Sequence, residues 1–139
     1  MGKNVTEAAQ EIIKAKGLQD HMKMLGVRKD ISELLRKSKA FVLPSLYEGM
    51  PLVLIEAQAS GIHCVSADTF SKEVDFGIDA VKWLPLQAGT EKWADAIETA
   101  IEKGRKEKSE VVNAIEEKGF DSRIFTEKLC ELYIQNIRK

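Results

Sequence analysis

Short apolar runs alternate with helix-patterned stretches through the middle of this chain, and that alternation constrains its fold more than any other feature. HMKML (21–25) precedes ISELLRKS (31–38), AFVL (40–43) precedes PLVLIEAQAS (51–60), and IHCVSA (62–67) and VKWL (81–84) continue the order. Runs of strand length that are separated by helix-length segments form parallel strands with the crossover helices laid on the sheet faces. The expectation is an α/β fold with a parallel sheet of about four strands flanked by helices. Both ends read as helical. Near the start, Asn4 and Glu7 are spaced as a capping pair, Ala8, Ala9, Ile12 and Ile13 share a stripe, and Gly17 stops the helix. After Thr90, a candidate N-cap, Trp93, Ala94, Ile97, Ala100 and Ile101 form a face that ends at Gly104. A second tail helix carries Val111, Val112 and Ile115 to Gly119, and a third, opened by Asp121 or Ser122, repeats Phe125, Leu129, Leu132 and Tyr133.

With 139 residues, 44% of them hydrophobic, the chain can build one core, and residues 1–139 are read as a single domain. A net charge of −1 and a pI near 6.2 leave no broad basic field for nucleic acid or an anionic membrane. The basic run KGRKEK (103–108) is interleaved with Glu102, Glu107 and Glu110, the pattern of a solvated helix junction. Cys64 and Cys130 read as small buried hydrophobes in a reducing, cytoplasmic compartment. His21 and His63 lack the spacing of a zinc site, so no metal is expected. No apolar run reaches the roughly 18 residues of a membrane span, and MGKNVTEAAQ has no signal-peptide core. Trp83 and Trp93 read as packing residues. No G-x-G-x-x-G follows any candidate strand, which leaves a dinucleotide-dependent oxidoreductase without its fingerprint.

The chemistry concentrates in PSLYEGMPLVLIEA (44–57), where Glu48 and Glu56 bracket a glycine turn and a proline-started helix. Pro51 suits the first helical position, having no N–H to lose, and Gly49 admits a close approach to the turn. The open end of such a helix offers unpaired amides and the positive pole of the macrodipole, a natural seat for a diphosphate. Glu56 lies five residues beyond Pro51, roughly 7.5 Å along the axis, which is about the distance from a diphosphate to its ribose. Carboxylates suit vicinal hydroxyls, so one glutamate fits a ribose and the other a sugar. Read from residues alone, the same pattern also fits a solvated turn at Glu48 and an ordinary solvent-facing Glu56.

In its Pro-Ser, Glu-Gly and Pro context, this glutamate pair with seven intervening residues resembles the donor-binding signature of the retaining group 1 glycosyltransferases, family 4 of the two-lobed GT-B fold. LGVRKDISELL (25–35), FVLPSLYEGMPLVLIEAQASG (41–61) and SADTFSKEV (66–74) extend the resemblance, nearest in flavour to the bacterial capsular and exopolysaccharide branch. The resemblance implies a partial Rossmann-like lobe that binds a nucleotide-diphosphate sugar such as a UDP- or GDP-sugar as substrate, with no metal or other cofactor. It implies that Glu56 holds the ribose diol, that Glu48 meets the donor sugar, and that the amides of Gly49, Met50 and Leu52 meet the diphosphate. Gly26 and Val27 would lie near the base. Arg28 is either a charge partner of the diphosphate or a surface residue. Asp68 and Thr69 stand where the loop after the third strand reaches the pocket, and Lys72 and Glu73 either meet a donor group or form a salt-linked helix start.

Members of the family also have an N-terminal acceptor lobe and first strands whose Arg and Lys neutralise the diphosphate, and neither matches a segment here. The expectation is therefore that this chain alone is catalytically silent, with the parent at the inner face of the membrane. One sheet flank should be vacant, filled by the first strand or by a second copy in a homodimer through the exposed edge. The family often carries Asp at the position of Lys39 and Pro at that of His63, and His63 also admits a reading as a proton shuttle. The rival reading is a noncatalytic α/β module for assembly or nucleotide binding, its glutamates inherited.

Overall fold

The computed structural model describes residues 5–124, 126, 127, 130 and 131. The chain divides into two compact units, residues 1–31 and 32–139. In the first unit, α1 (Val5–Ala15) is amphipathic, with Glu7 in its first turn and Lys14 in its last, each complementing the macrodipole. Gly17 ends it at φ +67°: its N–H donates to the Lys14 carbonyl at 3.1 Å and that of Leu18 to Ile13 at 2.9 Å. That is a Schellman closure, which needs the left-handed conformation glycine adopts without strain. Asn4, the expected cap, lies outside the described residues.

The strand expected at residues 21–25 does not form. This stretch is irregular, and Met22, Met24 and Leu25 are about half exposed. A strand exists through its ladder, and among the described residues none in this segment pairs in one, so an apolar run that looks strand-like locally stays a loop. Among the described residues the sheet has three strands, one fewer than expected.

The second unit begins within α2 (Ile31–Lys37) and continues through β1 (Ala40–Leu43), α3 (Leu52–Ala59), β2 (His63–Ala67), β3 (Val81–Leu84), α4 (Thr90–Glu102) and α5 (Lys108–Glu117). Single 3-10 turns occupy Lys72–Val74 and Leu86–Ala88. The strands run parallel in the order β1-β2-β3, with Ala40 opposite His63 and Cys64 opposite Val81. All five residues of the central strand β2 are buried, as a strand covered on both faces requires, whereas the two edge strands are half-buried. The result is a partial Rossmann-like α/β architecture. Leu54 and Ala57 of α3, Val65 and Ala67 of β2, Ala100 of α4, and Val111 and Ala114 of α5 make its core. Burying Leu54 completely is worth about 2 kcal/mol.

Two polar side chains hold this core together from a distance. Gln58, fully buried on α3, donates through Nε2 to the Val74 carbonyl at 2.8 Å and accepts the Phe76 N–H at Oε1 at 2.9 Å. Arg105 donates to the carbonyls of Ser60 (2.6 Å), Leu35 (3.1 Å), Ser38 (2.9 Å) and Arg36, placing a cation at the C-terminal ends of α2 and α3. The basic run is thus more than a solvated junction. Gly61 lets it approach: at φ +78°, an added Cβ would stand 3.3 Å from the Lys106 carbonyl oxygen.

The tail agrees with expectation in outline. Thr90 opens α4 as a helical residue and does not cap it with its side chain; Gly89 occupies the cap. Asp121 accepts the Arg123 N–H at 2.8 Å and its guanidinium, which hold the carboxyl down to about 2, and residues 122–124 are helical. Phe125, Leu129, Leu132 and Tyr133 lie outside the described residues. Cys64 is buried, its thiol pushed up to about 12 by desolvation, but Cys130 is exposed, contrary to expectation. Trp83 packs edge-on against Phe70 at 5.7 Å, with Lys72 Nζ 5.5 Å from its ring centre.

Candidate functional site

Parallel strands deliver their carboxyl ends to loops on one side of a sheet, and ligands of open α/β folds bind there. Residues 44–51 form that loop after β1, and residues 68–71 the one after β2. Ser45 Oγ donates to Glu48 Oε1 at 2.7 Å, and Thr69 Oγ1 donates to the Ser45 carbonyl at 2.8 Å. Glu48 is half-buried and oriented by this chain of bonds, and the two loops are tied together. Among the described residues, the other carboxylate oxygen of Glu48 has no protein donor. Ser45, three residues ahead of Glu48, is the hydrogen-bond partner that the glutamate spacing alone did not reveal.

Pro51 takes the N-cap position one residue before the helix, and Leu52 is the first helical residue. Pro51 is buried, and its carbonyl accepts the Leu54 N–H at 2.9 Å. The Leu52 N–H turns back to the Met50 carbonyl at 2.9 Å. Of the amides singled out in the sequence, those of Gly49 and Met50 find no acceptor among the described residues, and Val53 joins them. A Cβ on Gly49 would meet no atom within 4 Å, so the turn is open. Leu46, Tyr47, Met50 and Leu52 surround it, each more than half exposed.

Glu56 is exposed on the second turn of α3 and lines a groove of about 280 Å³ with Ser32, Leu35 and Arg36 of α2 and with Ala59 and Ser60. Glu48 is not among the residues bounding that groove. A second hollow, about 480 Å³ and mainly apolar, lies between Pro44, Leu86 and the start of α4, with Trp93 in its wall. Trp93, expected as a packing residue, also donates its indole N–H to the Pro85 carbonyl at 3.2 Å. His63 opens β2 at the amino-terminal end of the sheet, away from the Glu48 loop, which removes it as a proton shuttle there. In the first unit, Val27 is fully exposed, and Arg28 forms a two-pronged pair with Asp30, Nε to Oδ1 at 2.8 Å. Asp30 is thereby held below the ordinary carboxylate range. Among the described residues, no three His, Cys, Asp or Glu side chains converge as a metal site would require.

A parallel sheet whose first loop presents a hydrogen-bonded glutamate ahead of a proline-capped helix defines a class, and the sequence profile described as glycosyl transferases group 1 matches residues 1–118. The chain belongs to the group 1 glycosyltransferase family. It is 35% identical over 124 residues to the putative glycosyltransferase EpsF of Bacillus subtilis (strain 168), covering 89% of this chain and 32% of that protein. Over 48 residues it is 50% identical to the Escherichia coli UDP-Gal:alpha-D-GlcNAc-diphosphoundecaprenol alpha-1,3-galactosyltransferase, 34% of this chain and 12% of the other. Over 44 residues it is 50% identical to the N,N'-diacetylbacillosaminyl-diphospho-undecaprenol alpha-1,3-N-acetylgalactosaminyltransferase of Campylobacter jejuni subsp. jejuni serotype O:2, 32% and 12% of the two chains. This chain spans about a third of the length of the first of these relatives and less of the others. No solved structure matches it. Among the described residues, no helix is long and apolar enough to cross a membrane.

Proposed function

We propose that this chain is the donor-binding part of a retaining glycosyltransferase that moves a sugar from a nucleotide-diphosphate sugar to a glycan acceptor. The observation that carries the reading is the Thr69–Ser45–Glu48 chain of hydrogen bonds at the carboxyl ends of two parallel strands. A carboxylate fixed on one side and open on the other is suited to accept hydroxyl donors from a sugar without reorganising. The unpaired amides of Gly49, Met50 and Val53 lie between it and α3, where a diphosphate gains from amides and macrodipole together. Glu56, in its groove against α2, is suited to a ribose diol.

In this reading the donor sugar is positioned by Glu48, and the leaving diphosphate is stabilised by amides. The acceptor and most cationic compensation come from a further lobe, and the exposed Leu46, Tyr47, Met50 and Leu52 suit a surface that such a lobe covers. Calorimetric titration with UDP, GDP and their sugars tests the donor site: weak, saturable binding is expected, at least tenfold weaker in Glu56→Ala, with no glycosyl transfer by the chain alone. Binding that Glu56→Ala leaves unchanged would remove Glu56 from the site, and no binding at all would favour a noncatalytic assembly module.

The edge of β1 away from β2 is where a second copy would pair. Light scattering is expected to show mass rising toward the dimer with concentration, and a constant monomer mass would reject that pairing.

A further inference from the structure

Residues 68–80 join β2 to β3, and the first part of this connection carries Thr69 to the Glu48 loop. Thr69 is exposed, so its hydroxyl keeps the Ser45 carbonyl in competition with water only where the backbone beneath it is already held. Gln58 fixes the far part of the connection at Val74 and Phe76. The near part is held by Trp83 of β3. Its ring meets Phe70, the neighbour of Thr69, edge-on with centroids 5.7 Å apart and planes at 74°. Lys72 Nζ stands 5.5 Å from the centre of the same ring, and the indole N–H donates to Asp75 Oδ2 at 2.7 Å. Asp75 Oδ1 accepts the Gly77 N–H at 2.9 Å, so this carboxylate is fixed through both oxygens. One side chain thus grips the connection at three points, around the turn Lys72–Val74 that Ser71 caps. At its register position opposite Ser66 the strand asks only for a β-forming side chain; an indole adds an apolar edge, a π face and an N–H donor at once.

We propose that Trp83 is a positioning residue for Glu48, acting from the far edge of the sheet. This rests on the reading of Glu48 as the group that meets the donor sugar. The relay starts at the contacts of the indole with Phe70 and Asp75 and passes along the backbone to Thr69. From there the Thr69 hydroxyl holds the Ser45 carbonyl at 2.8 Å, and Ser45 Oγ holds Glu48 Oε1 at 2.7 Å. Without the indole N–H, residues 70–75 gain freedom, Thr69 turns to water, and the Ser45 hydroxyl no longer keeps one direction. Glu48 then retains its charge but not its aim, which costs the sugar end of a donor its fixed partner. The nucleoside end is spared, because the Glu56 groove against α2 lies outside the relay.

Trp83→Phe keeps a ring for Phe70 and removes the N–H, whereas Thr69→Val, at an exposed position, removes the hydroxyl and Thr69→Ser restores it. In amide-resolved NMR spectra of the chain, Trp83→Phe is expected to shift the signals of residues 45–49 in the same sense as Thr69→Val, with those of α4 and α5 in place. Calorimetry with UDP against UDP-glucose, and with GDP against GDP-mannose, reads the share of the sugar. The affinity ratio of sugar nucleotide to nucleotide is expected to fall by about threefold or more in Trp83→Phe and in Thr69→Val, to return in Thr69→Ser, and to fall no further in the double variant. Affinity for UDP or GDP itself should hold. Equal losses for nucleotide and sugar nucleotide, or additive losses in the double variant, would reduce Trp83 to a folding role and overturn the proposal. Unmoved signals from residues 45–49 in Trp83→Phe would break the relay while leaving the donor reading intact. Binding of neither nucleotide nor sugar nucleotide by the parent chain would remove the donor reading, and the proposal with it.

Discussion

Replacing Gln58 with alanine is expected to destabilise the second unit by about 2–4 kcal/mol, since two buried backbone groups lose their partners at once. The Val74 carbonyl and the Phe76 N–H both belong to residues 3% exposed, so neither recovers a bond to water cheaply. Chemical denaturation would show the midpoint falling with the slope unchanged. Gln58→Glu separates hydrogen bonding from packing. A buried carboxylate still accepts the Phe76 N–H but has nothing to donate to Val74, so this variant should be weaker than alanine at pH 7. It should recover in part at acid pH, where a protonated carboxyl donates again. A loss below about 0.5 kcal/mol for Gln58→Ala would mean that the 74–76 segment finds other partners.

In a longer protein that supplies the acceptor lobe, Glu48→Ala is expected to lower kcat for sugar transfer by about 10²–10³-fold, the usual effect of deleting one preorganised group at a site of developing charge. Affinity for the nucleoside diphosphate should change little, because the amides beyond Gly49 and the Glu56 groove are untouched. Ser45→Ala should give a smaller loss of the same kind, because the carboxylate remains and only the 2.7 Å bond that aims it is gone. Steady-state kinetics with varied donor check both. If Glu48→Ala retains transfer within threefold of the parent, or raises KM with kcat intact, Glu48 does not act on the reacting sugar.

Much of this fold was legible because its information is local. AFVL, IHCVSA and VKWL carry strand composition between helix-length segments, and each became a strand or most of one. The Glu48 and Glu56 pattern was legible because the loop after β1 and the start of α3 lie within fourteen residues. Elsewhere the information is not in the segment that needs it. HMKML has the composition of a strand but no ladder to join. Gln58 reads as a polar helix residue until the backbone sixteen and eighteen positions on folds over it. Arg105 sits in a run of charges that resembles every solvated junction, and its role depends on residues up to 70 positions earlier. Likewise, helix spacing cannot report that α2 stands beside Glu56.

Arg105 also bears on how the molecule is made. The carbonyls at the ends of α2 and α3 leave the ribosome well before the guanidinium that binds them, so a nascent chain up to residue 104 lacks the cation that joins the two helix ends. Domains mature as units during synthesis, and contacts that span long stretches of sequence close last. The C-terminal ends of α2 and α3 are therefore joined late, by a residue that lies 45 to 70 positions further along the chain.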